Sequence, residues 1–166
     1  MTVASPAGEA AADAIPLDAF AQLCLVVEDV EAAIASWCTV LDVPRSDLIE
    51  LTTPAQLDPH EQYRGENANY GLKIAVIQCA ERGFILELIE PDQNPSTFRE
   101  FLDKHGNGLH HIGFVVGDAR DAIVAQLETS GYPIRNLGVQ SAGSWTVLEG
   151  EDILGTNINI KPTLGL

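Results

Sequence analysis

The stretch "HHIGFVVGDARDAIVAQLETSGYPI", residues 110–134, decides the fold because an earlier segment of the chain has the same order. Residues 21–45, "AQLCLVVEDVEAAIASWCTVLDVPR", also run from an apolar strand through an aspartate into an amphipathic helix and a turn with proline. Aligning Asp29 with Asp118, the predicted N-caps of the two helices, shifts the second copy by 89 residues. Self-similarity at a fixed shift indicates an internal duplication.

Each copy continues into a predicted β-hairpin that is rich in β-branched residues. The first hairpin is formed by "LKIAVIQ" and "GFILELIE", and the second by "SWTVLEG" and "TNINIKP". We therefore predict an α+β fold in which two βαβββ units, at residues 20–91 and 109–162, pair into a cupped mixed sheet around a central cleft. The units make a single domain over residues 18–166, after a flexible N-terminal tail at residues 1–17.

Residues 54–70, "PAQLDPHEQYRGENANY", carry the Pro, Asn and Gly of a long loop. Loops of this length are often functional. We expect this one to cover the cleft and to bring Asn69 and Tyr70 against a polar substrate.

A short helix is predicted within "PSTFREFLDKHGNG", residues 95–108. Thr97 and Glu100 have the spacing of a capping box, and Gly106 is placed to end the helix.

The charge of the chain limits its partners. There are 24 acidic and 9 basic side chains, which gives a formal net charge of -15. Such a field repels polyanions, so nucleic acid and acidic membrane surfaces are not expected partners. The three cysteines form no CxxC pair, and no run of about 18 apolar residues occurs. We expect a cytoplasmic protein that acts on a small molecule and forms a homodimer, since pairing would cover open sheet edges.

The duplication also predicts where a functional site lies. The shift that aligns the two aspartates places Gln22 opposite His111, and aligning Gly83 with Gly155 places Glu87 opposite Asn159. If the two sheets curl around one cleft, these four side chains converge there. Strand alternation turns His111 toward the cleft and His110 toward the opposite face and the core.

Three segments resemble the vicinal oxygen chelate superfamily, which includes glyoxalase I, methylmalonyl-CoA epimerase, bleomycin-resistance proteins and extradiol dioxygenases. The segments are "LELIEP", "FLDKHGNG" and "GLHHIGFVV". The chain is most similar to the epimerase-like and lactoylglutathione-lyase-like members. The resemblance implies that His111 and Glu87 bind a divalent ion, with Gln22 at a third ligand position.

The chain departs from the epimerase pattern at three positions. Gln22 stands where the epimerases have histidine, and Asn159 stands where the family has a glutamate that often serves as base. Asn69 replaces a further epimerase acid. An amide oxygen is neutral and takes up no proton near neutral pH. True methylmalonyl-CoA epimerase activity is therefore not expected. No cofactor is firmly implied, and metal-free and weakly metal-bound forms both stay open.

Two functions follow from this site. The first is an isomerase, lyase or cyclase in which Glu87 and His111 move protons, since imidazole titrates near neutrality. Glu149 is then a spare carboxylate, and the substrate contacts are expected from Gln22, Asn159, Asn69, Tyr70 and Trp145. The second is a protein that only binds a small ligand in the same cleft, as bleomycin-resistance members of the superfamily do.

Overall fold

The computed structural model describes residues 14–56, 58–140 and 143–165. Most of the predicted tail, residues 1–13, lies outside the described residues. In chain order the elements are β1 (Phe20–Val26), α1 (Val30–Leu41), β2 (Ile49–Thr53), β3 (Asp58–Tyr63), β4 (Glu66–Ala68), β5 (Leu72–Cys79), β6 (Phe84–Pro91), α2 (Thr97–His105), β7 (Gly108–Val115), α3 (Arg120–Thr129), β8 (Ile134–Gln140), β9 (Gly143–Leu148), α4 (Glu151–Leu154) and β10 (Asn157–Lys161). Within the described part of the chain, no helix is long and apolar enough to cross a membrane.

The described strands form one sheet in the order β2-β5-β6-β1-β7-β10-β9-β8-β3-β4. The central strands β1 and β7 are antiparallel, and each pairs in parallel with the last strand of its own unit, β6 or β10. The two parallel pairs have the same register when the units are aligned. Gln22 faces Ile85 in the first pair, and the equivalent residues His111 and Asn157 face each other in the second. The predicted α+β fold of two βαβββ units around a cleft is confirmed.

The helices of the two units cover the sheet face that lies away from the cleft. α1 packs Val30 and Ile34 against the first unit, and α3 packs Ile123 and Val124 against the second. The connecting helix α2 packs on the other face, beside the cleft. The sheet therefore has one face buried by α1 and α3 and one face free to form a cavity beside α2.

The predicted helix starts are correct for α1 only. The Asp29 carboxylate accepts a hydrogen bond from the Ala32 amide at 3.0 Å, as an N-cap does. Asp118 caps nothing, because a 3-10 turn at Gly117–Ala119 precedes α3. In α2 the N-cap is Ser96, one residue before the predicted N-cap Thr97. The backbone of Ser96 is extended, so the helix begins at the next residue. The predicted capping box is therefore wrong, and Thr97 is the first residue of the helix.

The predicted long loop is also wrong, because the segment holds the hairpin of β3 and β4. This hairpin pairs with β8 of the second unit, so it extends the sheet across the molecule. Exposed polar side chains such as Glu66 and Asn67 lie on β4 at the sheet edge. A strand of this kind lacks the apolar alternation from which strands are predicted.

A β-bulge in β7 changes the predicted orientation of His110. Cys24 lies opposite His111 and Leu25 lies opposite Leu109, so His110 is an extra residue between them. Strict alternation predicted opposite faces for the two histidines. The bulge instead brings both imidazoles to the Cys24 thiol, with the ligand atoms of the three side chains within 4.8 Å of one another.

Candidate functional site

A cavity of about 170 Å³ lies between the two units, on the side of the sheet opposite α1 and α3. Aromatic side chains form part of its wall, namely Tyr70, Phe98 and Trp145. Four polar side chains line it from β6, β7 and β10, namely Glu87, His111, Asn159 and Lys161. The volume is below that of drug-sized sites, which begin at roughly 300 Å³. The cavity therefore suits a small molecule.

Glu87 is held in place by Gln22 of the neighbouring strand. The Gln22 side-chain amide donates to Glu87 Oε2 at 2.5 Å, and Gln22 is only 1% exposed. Gly113 on β7 makes room for this contact, because a Cβ at that position would lie 2.7 Å from Gln22 Oε1. A glycine in the central strand thus lets the glutamine lie flat against it and fix the carboxylate.

The Cys24 thiol lies beside Glu87 on the first unit. Burial and then the charge of Glu87 raise the pKa of Cys24 well above its usual value. The thiol stays protonated near neutral pH, so it is not a nucleophile at this site.

A chain of hydrogen bonds couples the tautomers of the two histidines. His110 Nε2 lies 2.9 Å from the Thr97 hydroxyl, and His110 Nδ1 lies 2.8 Å from His111 Nδ1. If His110 donates from Nε2 to Thr97, its Nδ1 accepts and His111 Nδ1 donates. His111 Nε2 then carries a lone pair, and the side-chain amide of Asn159 lies 3.2 Å from it as donor.

Both imidazoles are neutral at physiological pH. Burial, and then the charge of His110 and of Lys161, lowers the pKa of His111 well below its usual value. Burial, and then the charge of Arg135, lowers the pKa of His110 to about 3. This contradicts the expectation that His111 titrates near neutrality, and the neutral imidazole can accept a hydrogen bond.

Tyr70 and Trp145 form the cavity wall with their polar atoms already engaged. The Tyr70 hydroxyl and the Trp145 indole N–H both donate to Asn136 Oδ1, each at 3.2 Å. These two side chains therefore offer a ligand their ring faces rather than their donors.

Asn69 and Glu149 lie away from the residues that line the cavity. Asn69 is exposed beyond β4. Glu149 follows β9 and pairs with Arg64, which also pairs with Glu100. The hairpin of β3 and β4 thus uses Glu149 as an anchor, and Glu149 is not placed to replace a base.

Lys161 was missed by the sequence reasoning. It lies on β10 two residues after Asn159, so the same strand alternation that places Asn159 in the cleft also places Lys161 there. His110 was treated as core only, because the bulge that brings it to His111 leaves no mark in the sequence.

The side chains that the resemblance assigns to a divalent ion fit such an ion. Gln22 Oε1 and Asn159 Oδ1 are buried without a hydrogen-bond partner among the described residues, and amide oxygens are ligands for hard cations. With the Glu87 carboxylate and His111 Nε2, the set offers three oxygens and one nitrogen. It carries one negative charge, so a cation would be held weakly.

The cluster of Cys24, His110 and His111 is not a metal site of the same quality. Its ligand atoms lie close together, but the two Nδ1 atoms are engaged with each other. The thiol is protonated as well. We interpret this cluster as internal support for His111.

Residues 21–148 match the model of the Glyoxalase/Bleomycin resistance protein/Dioxygenase superfamily. The match covers most of the chain, and the chain belongs to this superfamily. The family recognised from the sequence motifs is thereby confirmed.

Several solved structures share the fold at low identity. The chain is similar to methylmalonyl-CoA epimerase from Mycobacterium tuberculosis, with a TM-score of 0.60 and 18% identity over 93% of this chain and 92% of that chain. It is also similar to Streptomyces coelicolor methylmalonyl-CoA epimerase in complex with 2-nitronate-propionyl-CoA, with a TM-score of 0.56 and 19% identity over 86% and 94% of the two chains. These likenesses show the fold alone. A comparison with curated proteins finds no match.

Proposed function

We propose that the chain is an isomerase or lyase that moves a proton on a small oxygenated molecule in the cleft, with Glu87 as the base. The observation that carries this proposal is the Glu87 carboxylate, which lines an aromatic cavity and is fixed by the Gln22 amide at 2.5 Å. A positioned carboxylate in a cavity of this kind is suited to proton abstraction.

The reaction needs one base. Glu87 takes a proton from a carbon next to a carbonyl group, and the electron pair of the broken C–H bond forms an enolate. When the substrate is a 2-hydroxy carbonyl compound, its hydroxyl proton passes to the former carbonyl oxygen, and Glu87 returns the abstracted proton to the former carbonyl carbon, which completes an isomerisation. The His111 Nε2 lone pair, which accepts from the Asn159 amide in the free protein, accepts instead from a substrate hydroxyl that displaces this amide. A divalent cation bound by this set would stabilise the negative charge of an enolate oxygen.

True epimerisation of methylmalonyl-CoA is not part of the proposal. A two-base epimerisation needs a second carboxyl group across the substrate, and Asn159 occupies the position that pairs with Glu87 in the duplication. Asn69 is exposed and is an amide as well. The phosphates of coenzyme A would also meet a chain of net charge -15.

A binding protein without turnover is the second candidate function. It is favoured by the ring faces of Tyr70 and Trp145, whose donors are satisfied by Asn136. Such walls hold a ligand without reacting with it.

Hydrogen exchange separates the two candidates. The protein is incubated in D2O with a panel of small aldehydes, ketones and 2-oxo acids, and the loss of the proton next to the carbonyl is followed by NMR. The proposal expects exchange above the buffer rate for at least one compound class. A thermal shift with a compound that shows no exchange, across the whole panel, would instead support the binding protein.

We also propose a homodimer in a reducing compartment such as the cytoplasm. The edge strand β2 exposes Leu51 by 48%, and all three cysteines are free. Light scattering after gel filtration tests the dimer, with a mass near 17.8 kDa as the contradicting result.

A further inference from the structure

Lys161 differs from the other basic side chains of this acidic protein. Ion pairs engage seven of the nine lysines and arginines. Within the described residues, the remaining two are Arg82, on an exposed turn, and Lys161. In a chain with 24 acidic side chains, a lysine that lacks a carboxylate partner is an exception that calls for a reason.

The position of Lys161 supplies that reason. The residue ends β10, is half-buried and lines the cavity together with Asn159. Lys161 is thus directed at the ligand space rather than at the protein surface.

The carboxylates that share the cavity are engaged elsewhere. Glu87 accepts the hydrogen bond from Gln22 at 2.5 Å, and the Glu61 carboxylate interacts with the Tyr70 hydroxyl. The ammonium of Lys161 therefore has room for a negative group that arrives with a ligand.

We propose that the ligand of the cleft carries a carboxylate that pairs with Lys161, while its apolar part lies along the ring of Trp145. This inference rests on the proposed function in one respect, namely that the cleft is where the ligand binds. A carboxylate fits better than a phosphate, because one cation faces a cavity that also contains Glu61 and Glu87. A dianion would leave part of its charge unpaired beside these acids.

The test compares two probes of the same shape, hexanoate and hexanamide, whose dissociation constants are measured by NMR titration. Hydrogen bonds to charged groups predict that wild-type protein binds hexanoate at least about 10-fold more tightly. Lys161→Met should abolish this preference, and Lys161→Arg should keep most of it. Arg82→Met is the matched control, since it removes the same charge from a site outside the cavity and should keep the preference in full.

Three results would overturn the proposal. The first is wild-type protein that does not prefer hexanoate, which includes protein that binds neither probe. The second is a preference that survives Lys161→Met. The third is tighter binding of hexyl phosphate than of hexanoate. The outcome is distinct from that of the proposed function. A carboxylate preference without any hydrogen exchange would support Lys161 as the anchor and contradict the proposed enzyme. Hydrogen exchange without the preference would support the enzyme and contradict the role of Lys161.

Discussion

The two units of the sheet are alike in backbone and different in chemistry. Each central strand has a bulge at the equivalent position, with Ala21 as the extra residue in β1 and His110 in β7. The next residues are Gln22 and His111, and the parallel neighbours supply Glu87 on one side and Asn159 on the other. The first unit thus provides a carboxylate held by an amide, and the second provides an imidazole held by an amide.

The duplication has therefore preserved the geometry of the strands rather than their chemistry. Two equivalent carboxylates would allow a base on each side of a substrate, as a two-base reaction requires. Here the acid is retained at Glu87 only, and Asn159 faces it with a neutral side chain. We therefore assign one base to one unit, and variants at the positions that the duplication makes equivalent test this assignment.

The largest effect is expected at the carboxylate. Glu87→Gln is nearly isosteric and should lower proton exchange by about two to four orders of magnitude, because an amide accepts no proton. Asn159→Ala, at the equivalent position, should change exchange by less than about 10-fold. Exchange is measured by NMR in D2O, with circular dichroism as the fold control. Similar losses in both variants would remove the distinction between the units.

The two adjacent histidines should differ in their effect on stability. His110 is fully buried, stacks against Phe98 and Phe101 and bonds Thr97, so His110→Ala should lower the free energy of unfolding by about 2–4 kcal/mol. His111→Ala should cost less stability and reduce proton exchange. Urea denaturation measures the stability. A His110→Ala variant as stable as the wild type would show that the bulge does not need the imidazole.

Cys24 and Gly113, which the 89-residue shift makes equivalent, give a smaller effect. A methyl group at Gly113 would meet Gln22 Cβ at 2.7 Å, so Gly113→Ala should cost about 1–3 kcal/mol by overpacking and should slow proton exchange by displacing Gln22. Cys24→Ala removes the thiol that interacts with Glu87 but leaves Gln22 in place, so it should slow proton exchange less than Gly113→Ala does. Equal exchange rates in the two variants would mean that Gln22 does not position Glu87.

The features of the fold and the site that follow the two-residue period of β-strands could be predicted from the sequence, and the other features could not. The repeat, the register and the position of Glu87, His111 and Asn159 on the cavity follow from this period, with Gln22 behind them bonded to Glu87. The bulge at His110 does not, because an extra residue shifts one side chain without changing the apolar pattern. The hairpin of β3 and β4 was missed because its polar edge strand carries no apolar alternation. Glu149 could not be placed, since its partner Arg64 lies on that hairpin.

The smallest effect concerns acid stability, and it comes from an ion pair in the second unit. Burial opposes ionisation of Glu151, but hydrogen bonds from Asn157 and Arg135 outweigh it and lower the pKa of Glu151 from 4.5 to about 2. A lowered folded-state pKa stabilises the protein above pH 4.5, and this contribution is lost as the pH falls toward 2. Glu151→Gln should therefore flatten the decline of the melting temperature over this range. An unchanged slope would contradict the assignment.

The central claim is that the cleft is a site with one base, Glu87, and the most direct test is a crystal structure of the Glu87→Gln variant with the compound that exchanges fastest in wild-type protein. The account predicts that the compound lies between the units, with its exchanging carbon within about 3.5 Å of the side chain at position 87. A compound bound in the cleft with that carbon beside Asn159 or His111 and away from position 87, or a compound bound outside the cleft, would contradict the claim.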